Sequence, residues 1–187
     1  LMPERVARGL EDFQSHNAKT GVTFSDAELI DEVGNHLGLH SDRFPHASIP
    51  QGDIYKELLQ KYFISSPTMM MRRGVLEQLG GYDESLAYED FDFWIRSSRE
   101  FHYSYVAAPL VRRRLVKGSL GKEQFKKGSA QLRSTLKVCE KAAVLNRSAN
   151  EVTALRTRIR YEIRQCLKLR EWRLAVAYLM LFRRISK

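Results

Sequence analysis

The chain has 187 residues, 43% of them apolar, which is enough to build a packed core and excludes wholesale disorder. Two cysteines, Cys139 and Cys166, are too few for a disulfide framework and lack metal-ligand spacing, so buried thiols in a reducing compartment are expected. The net charge of +9 is uneven: residues 1–120 hold 14 Lys+Arg and 17 Asp+Glu, giving −3, whereas residues 121–187 hold 17 and 5, giving +12. A one-signed field in the last third favours an anionic partner: a lipid surface, a nucleic acid or a phosphorylated substrate.

In chain order, Pro3 to about Ser15 reads as a charged helix rather than a secretory signal, with proline where its missing N–H costs little. "TGVTFSDAEL" begins as a strand of β-branched and aromatic residues. "DEVGNHLGLHSDRFPHASIPQG" is polar and rich in turn residues, and predicts one long loop. A helix opens at Asp53 and runs to Lys61, with the aspartate as cap. "FISSPTMMMRR" reads as strand around a proline break, its three methionines filling core gaps. "GVLEQLGG" is a short helix stopped by glycine, Tyr88–Arg99 a further helix, and "HYSYVAAPLVRRRL" one or two strands. From Lys122 onward there is no proline, and beyond Gly128 no glycine. Apolar residues recur at helical spacing, as in Leu155, Ile159, Ile163 and Leu167, and "NRSANE" interrupts with a capping serine. Two or three helices are expected there. The longest apolar run, Leu174–Phe182, is too short to span a bilayer, which needs about 20 residues.

"LAYEDFDFWIRSS" places Glu89, Asp90 and Asp92 among Phe91, Phe93, Trp94 and Ile95. One reading is helix chemistry: acids in a first turn are stabilised by the dipole, and Asp92 and Arg96, four apart, can pair. The other is catalytic. A carboxylate at a helix start stays ionised, and if it faces a cavity it can take a proton from an attacking hydroxyl while aromatics exclude water.

Ile64–Gly121 resembles the acceptor-side half of family 2 glycosyltransferases of the GT-A fold. The matching residues are Arg72 and Arg73, Gly80-Gly81-Tyr82-Asp83, Glu89-Asp90, Asp92, Trp94 and Arg96, then Pro109-Leu110-Val111, Arg114 and Gly118-Ser119. Residues 1–60 match more loosely, the opening helix resembling the one that follows the family's acidic metal motif. The resemblance implies a partial GT-A α/β fold over residues 1–120, followed by a basic α-helical extension over 121–187. It implies inverting transfer of a sugar from a nucleotide-diphosphate donor to an acceptor hydroxyl, for envelope or surface polysaccharide or glycolipid synthesis. Asp90 would be the general base, with Glu89 beside it as an acceptor contact or a helix-start acid. Asp92 and Arg96 would form an internal pair. Substrate contacts would come from Arg72, Ser66, Thr68, Trp94, Arg114 and Lys117, with Ser65 as a further polar neighbour. A divalent metal, Mg or Mn, would be held by an Asp-x-Asp motif expected before Leu1, so no metal ligands are expected within these residues. The chain would then be a piece of a longer protein, inactive on its own. The family's Tyr and His near the "Y-R" strand are replaced by Arg113 and Val116. The basic run Arg112–Arg114 with Lys117 can neutralise a diphosphate, or it can be a strand end paired with local acids.

His36, His40 and His46 share one segment, but Gly34 and Gly38 argue against a helix that would align them; an exposed loop is expected rather than a metal site. No P-loop, dinucleotide fingerprint or nucleophile elbow is present. The basic helical region has three readings: a solvated bundle, a patch on an anionic membrane face, or a nucleic-acid surface, which ranks last because no aromatic platform accompanies it. A location in the cytoplasm, or at the cytoplasmic face of the membrane, fits these readings. The competing class is a non-catalytic basic helical module for interaction or membrane-surface binding, attached to a degenerate transferase half.

Overall fold

The computed structural model describes residues 1–44, 49–117 and 126–186. Two compact units divide the chain, and they interleave in sequence: Leu1–Ile54 with Tyr62–Gly81 and Glu100–Lys117, and Tyr55–Lys61 with Tyr82–Arg99 and Gly118–Lys187. Mixed α/β structure with helices toward the C-terminus agrees with the fold class expected from sequence.

The first unit is built around strand β1 (Thr20–Ile30), whose side chains are buried almost without alternation. Such a run is what a strand needs when both sheet faces are covered. Strand β4 (His102–Arg114) lies parallel to β1 along its whole length, from Thr20↔His102 to Ile30↔Arg114. The other edge of β1 is shared by two short antiparallel partners: β2 (His36–Leu39) against Glu28–Ile30, and β3 (Met70–Met71) against Val22 and Thr23. The β1–β4 register shifts around Asp26, which faces Pro109. Proline has no N–H for the ladder, and a bulge is the usual way to seat it. Helix α1 (Arg5–Ser15) buries Gly9 and Phe13. A Cβ on Gly9 would stand 2.5 Å from the Met70 methyl, so the Met70 side chain occupies the space that a larger residue at position 9 would need.

The long loop expected after β1 contains real structure. Asp31 Oδ1 accepts N–H bonds from Val33, Gly34 and Asn35 at 2.9, 2.7 and 2.8 Å, closing a turn that folds β2 back onto β1. A 3₁₀ turn, Ser41–Arg43, follows. Buried Asp26 holds it by accepting from the Ser41 N–H at 3.0 Å and the Ser41 hydroxyl at 2.5 Å. The segment read as strand around Pro67 is instead a 3₁₀ turn, Ser66–Thr68, and only two residues of strand. Helix α3 (Arg73–Leu79) ends as expected, with Gly80 in the left-handed region at φ 69°.

The second unit is helical: α2 (Tyr55–Gln60), α4 (Glu89–Glu100), α5 (Ala130–Leu145), α6 (Ala149–Lys168) and α7 (Trp172–Arg184). Its core gathers Leu58, Leu59, Phe91, Trp94, Leu132, Val138, Leu155, Ile159 and Tyr178. Ser148 caps α6 by accepting from the Glu151 N–H, as the "NRSANE" interruption predicts. Three residues join α6 to α7, and Arg170 takes the left-handed conformation, φ 57°, that glycine usually fills. Two anchors tie α2 into the unit. The Tyr55 hydroxyl donates to Asn146 Oδ1 at 2.9 Å, and buried Arg158 donates from Nε to the Leu59 carbonyl at 3.2 Å. Both cysteines are buried and free, and burial pushes their thiols up, Cys166 to about 11, so both are poor nucleophiles at neutral pH.

Candidate active site

The acidic cluster is assembled in the helical unit by the turn before α4 and the first turn of α4 itself. Asp83 organises the turn: its Oδ1 accepts from the Ser85 N–H at 3.1 Å and the Ser85 hydroxyl at 2.7 Å. Lys141, on α5, then bridges two acids. Its Nζ donates to Asp83 Oδ2 and to Asp92 Oδ1, each at 2.7 Å. Arg96 Nε takes the other Asp92 oxygen, also at 2.7 Å. The Asp92 side chain is 1% exposed, so this carboxylate is sealed between two cations. It is the internal pair expected from the four-residue spacing, with Lys141 added. The hydrogen bond from Lys141, helped by Ser85, holds the Asp83 carboxyl far below the usual carboxylate range. A further anchor fixes the turn: the Ala87 N–H donates to Ser134 Oγ at 2.9 Å.

Glu89 and Asp90 lie between these anchored acids and are half-buried rather than sealed. Tyr82 stacks on Phe93 with ring centroids 4.5 Å apart. Burial, and then the nearby charges of Asp90 and Glu89, push the Tyr82 phenol up. A phenol held protonated next to two carboxylates is a hydrogen-bond donor, a suitable neighbour for an ionised acid. Aromatic rings, a helix start and half-exposure together give a carboxylate that can receive a proton from a hydroxyl. Trp94, expected against substrate, is 2% exposed and meets Tyr88 edge-on in the core.

The other sequence-selected residues belong to the sheet unit. Arg72 donates to the carbonyls of Thr20, at 3.0 Å, and Phe13, at 3.1 Å, and lies over the Phe13 ring at 4.7 Å. Those contacts tie α3 to α1 and β1. Ser65 is buried and Ser66 half-buried, and the Thr68 hydroxyl donates to the Ser65 carbonyl at 2.7 Å. Thr68 also borders a small cavity with Arg5, Ser25 and Met70.

At the far end of β4 the basic run meets the β1–β2 turn. Arg112 pairs with Glu28 at 2.8 Å, and His36 contacts the same carboxylate at 3.1 Å. Hydrogen bonds from Arg112 and then His36 hold the Glu28 carboxyl below its ordinary range. Arg114 donates to the carbonyls of Asp31 and Glu32, and the Lys117 backbone N–H reaches Glu32 Oε1 at 2.9 Å. Of the two readings of this run, pairing with local groups is what Arg112 and Arg114 do.

His40 is buried with Nε2 3.1 Å from the Phe63 carbonyl, and His46, Gly118 and Ser119 lie outside the described residues. Among the described residues no three His, Cys, Asp or Glu side chains come together to hold a metal ion.

Sequence reading missed Lys141 and Ser134. Their signal is the seven-residue spacing, which puts two polar side chains two turns apart on one face of α5 beside Val138 and Ala142.

No curated protein matches the chain. The family model described as "Glycosyltransferase like family 2" matches residues 10–134, from within α1 through the whole acidic cluster to the start of α5. Ser134 is its last matched residue, and Lys141 lies beyond it. With most of its length under that one description, the chain belongs to glycosyltransferase-like family 2.

Proposed function

We propose that this chain forms the acceptor-side half of an inverting sugar transferase, with Asp90 as the general base. In the step envisaged, the acceptor hydroxyl gives its proton to the Asp90 carboxylate as its oxygen bonds to the anomeric carbon. The bond from that carbon to the diphosphate breaks on the opposite face, and its electron pair leaves with the phosphate oxygen. Glu89 would contact the acceptor. Lys117 has an exposed side chain that would meet an anionic leaving group, whereas Arg114 is engaged with the Asp31 and Glu32 carbonyls. Arg72 and Trp94 are left out of the proposed substrate contacts, because one is engaged with backbone carbonyls and the other is in the core.

The observation that supports this reading is the place of Glu89 and Asp90: half-exposed in the first turn of α4, close enough to the Tyr82 phenol to push it up. Family membership supports transferase chemistry in general. The donor would be a nucleotide-diphosphate sugar, and the acceptor an envelope or surface polysaccharide or glycolipid. The metal, Mg or Mn, stays a requirement implied by resemblance, and no step above runs through it. In this reading residues 1–120 carry the acceptor-side function and 121–187 a basic region that rests on an anionic membrane at its cytoplasmic face. Residues 1–187 assayed alone are expected to give no turnover.

Asp90→Asn, in a protein that carries this chain and transfers sugar, should abolish transfer while the circular dichroism spectrum stays that of the parent. Retained transfer would remove Asp90 from the mechanism.

A further inference from the structure

Helix α7 has two apolar faces where a helix packed against one neighbour needs only one. Ala175, Tyr178 and Leu181 are buried. Trp172, Val176, Leu179 and Met180, at helical spacing on the other side, are 61%, 49%, 39% and 66% exposed. Single exposed apolar residues need no explanation, but four on one stripe of one helix do. The charges lie on the same side. Taking 100° per residue, Arg183 falls within the stripe, and Arg173 and Arg184 fall along one flank. All three are exposed, and no acid occurs between Trp172 and Arg184. The surroundings carry the same sign. Among the described residues of 126–186, Glu140 is the one exposed acid, and every other exposed charge is Lys or Arg. The remaining acids are occupied or buried: Glu151 pairs with Arg99 at 2.8 Å, Glu171 accepts from the Gly128 N–H at 2.6 Å, and Glu162 is 0% exposed beside Arg158.

We propose that the outward face of α7 is the element that enters an anionic lipid interface, lying flat with Trp172, Val176, Leu179 and Met180 among the acyl–headgroup boundary and Arg173, Arg183 and Arg184 on lipid phosphates. Apolar residues with arginines beside them suit that environment: long arginine stems follow the apolar surface while their guanidinium groups reach the headgroups. Among the described residues no helix is long and apolar enough to cross a membrane, so the contact is along the surface. A second copy of this chain fits the face poorly, because it would oppose the same basic surface to itself. A nucleic acid would engage the arginines and leave the apolar stripe unmatched. The proposal deepens the membrane reading of residues 121–187 and is independent of the transferase reading, since the test below uses no sugar donor.

The chain has two tryptophans, Trp94 at 2% and Trp172 at 61% exposure, so an emission change on binding reports Trp172. Residues 1–187 are mixed with phosphatidylcholine vesicles, with or without phosphatidylglycerol, then floated and read by fluorescence. The expected result is flotation and a blue shift only with phosphatidylglycerol. Replacing Arg173, Arg183 and Arg184 together by Gln should lower partitioning by about a hundred-fold. Val176→Glu with Met180→Glu should remove the blue shift while circular dichroism is unchanged. Val33→Glu, at a position 83% exposed in the sheet unit, should leave flotation as in the parent. Equal recovery with and without phosphatidylglycerol would overturn the proposal, as would a blue shift that survives Val176→Glu/Met180→Glu. So would tighter binding to duplex DNA that ignores those substitutions, or lipid-free self-association that Met180→Glu abolishes.

Discussion

Asp83, Asp90 and Asp92 lie in one short stretch, yet their surroundings give them different chemistry. Asp92 is sealed between Lys141 and Arg96, and Asp83 is held ionised by Lys141 and Ser85. Asp90 is half-buried near the Tyr82 phenol. Sequence alone could pair Asp92 with Arg96 by spacing, but it could not say which acid would be shut in, because the decisive cation comes from Lys141, 49 residues further on. His40 is a second residue whose role is invisible in the sequence. Burial depresses its imidazole below the ordinary value, its hydrogen bond to the Phe63 carbonyl only partly opposing this. A depressed folded value means that the unfolded chain takes up the proton first as pH falls. The stabilising contribution is therefore present above about pH 6.5 and is lost below it. Urea unfolding at pH 7.5 and 5.5 should show a drop in stability that shrinks in His40→Gln; an identical drop in the variant would clear His40 of this role.

At the scale of elements, α5 acts as a strut for the start of α4. Ser134 holds the turn and Lys141 holds two of its acids. Lys141→Met should destabilise the chain by about 2 kcal/mol, the range for hydrogen bonds to charged groups, and Lys141→Arg should recover part of it. The pH dependence has a definite sign. Asp83 has a depressed folded pKa, so its contribution exists above its ordinary value near 3.8 and disappears as pH falls. Thermal melts taken from pH 6 down to pH 2.5 should therefore fall less steeply in Lys141→Met than in the parent; parallel curves would refute the bridge. Ser148→Ala should cost about 1 kcal/mol through loss of the α6 cap, measured by chemical denaturation, and a change near zero would mean the cap is idle. The helices were legible because their spacing, caps and stops are local: Gly80, Ser148 and the period through Leu155 and Ile159 suffice. Strands β2 and β3 were not. "HLGL" has too few residues to show alternation, and Met70–Met71 is a strand only because β1 lies alongside.

At the scale of the whole molecule, the order of the chain and the order of the fold part company. The parallel pairing of β1 with β4 joins residues about eighty positions apart, which no local pattern announces. The helical unit draws in Tyr55–Lys61 and Tyr82–Arg99 besides the C-terminal residues. A break in composition near residue 120 could not reveal that. Charge, in contrast, was readable at once: the +12 of residues 121–187 appears as an almost uniformly basic exposed surface among the described residues. The central claim rests on telling two neighbouring acids apart, and one paired measurement does so: Asp90→Asn and Asp92→Asn compared for sugar transfer and melting temperature in the same active protein. Loss of transfer with an unchanged melt for Asp90→Asn, against a lowered melt with transfer retained by the folded fraction for Asp92→Asn, is the predicted outcome. Transfer that survives in Asp90→Asn would contradict it.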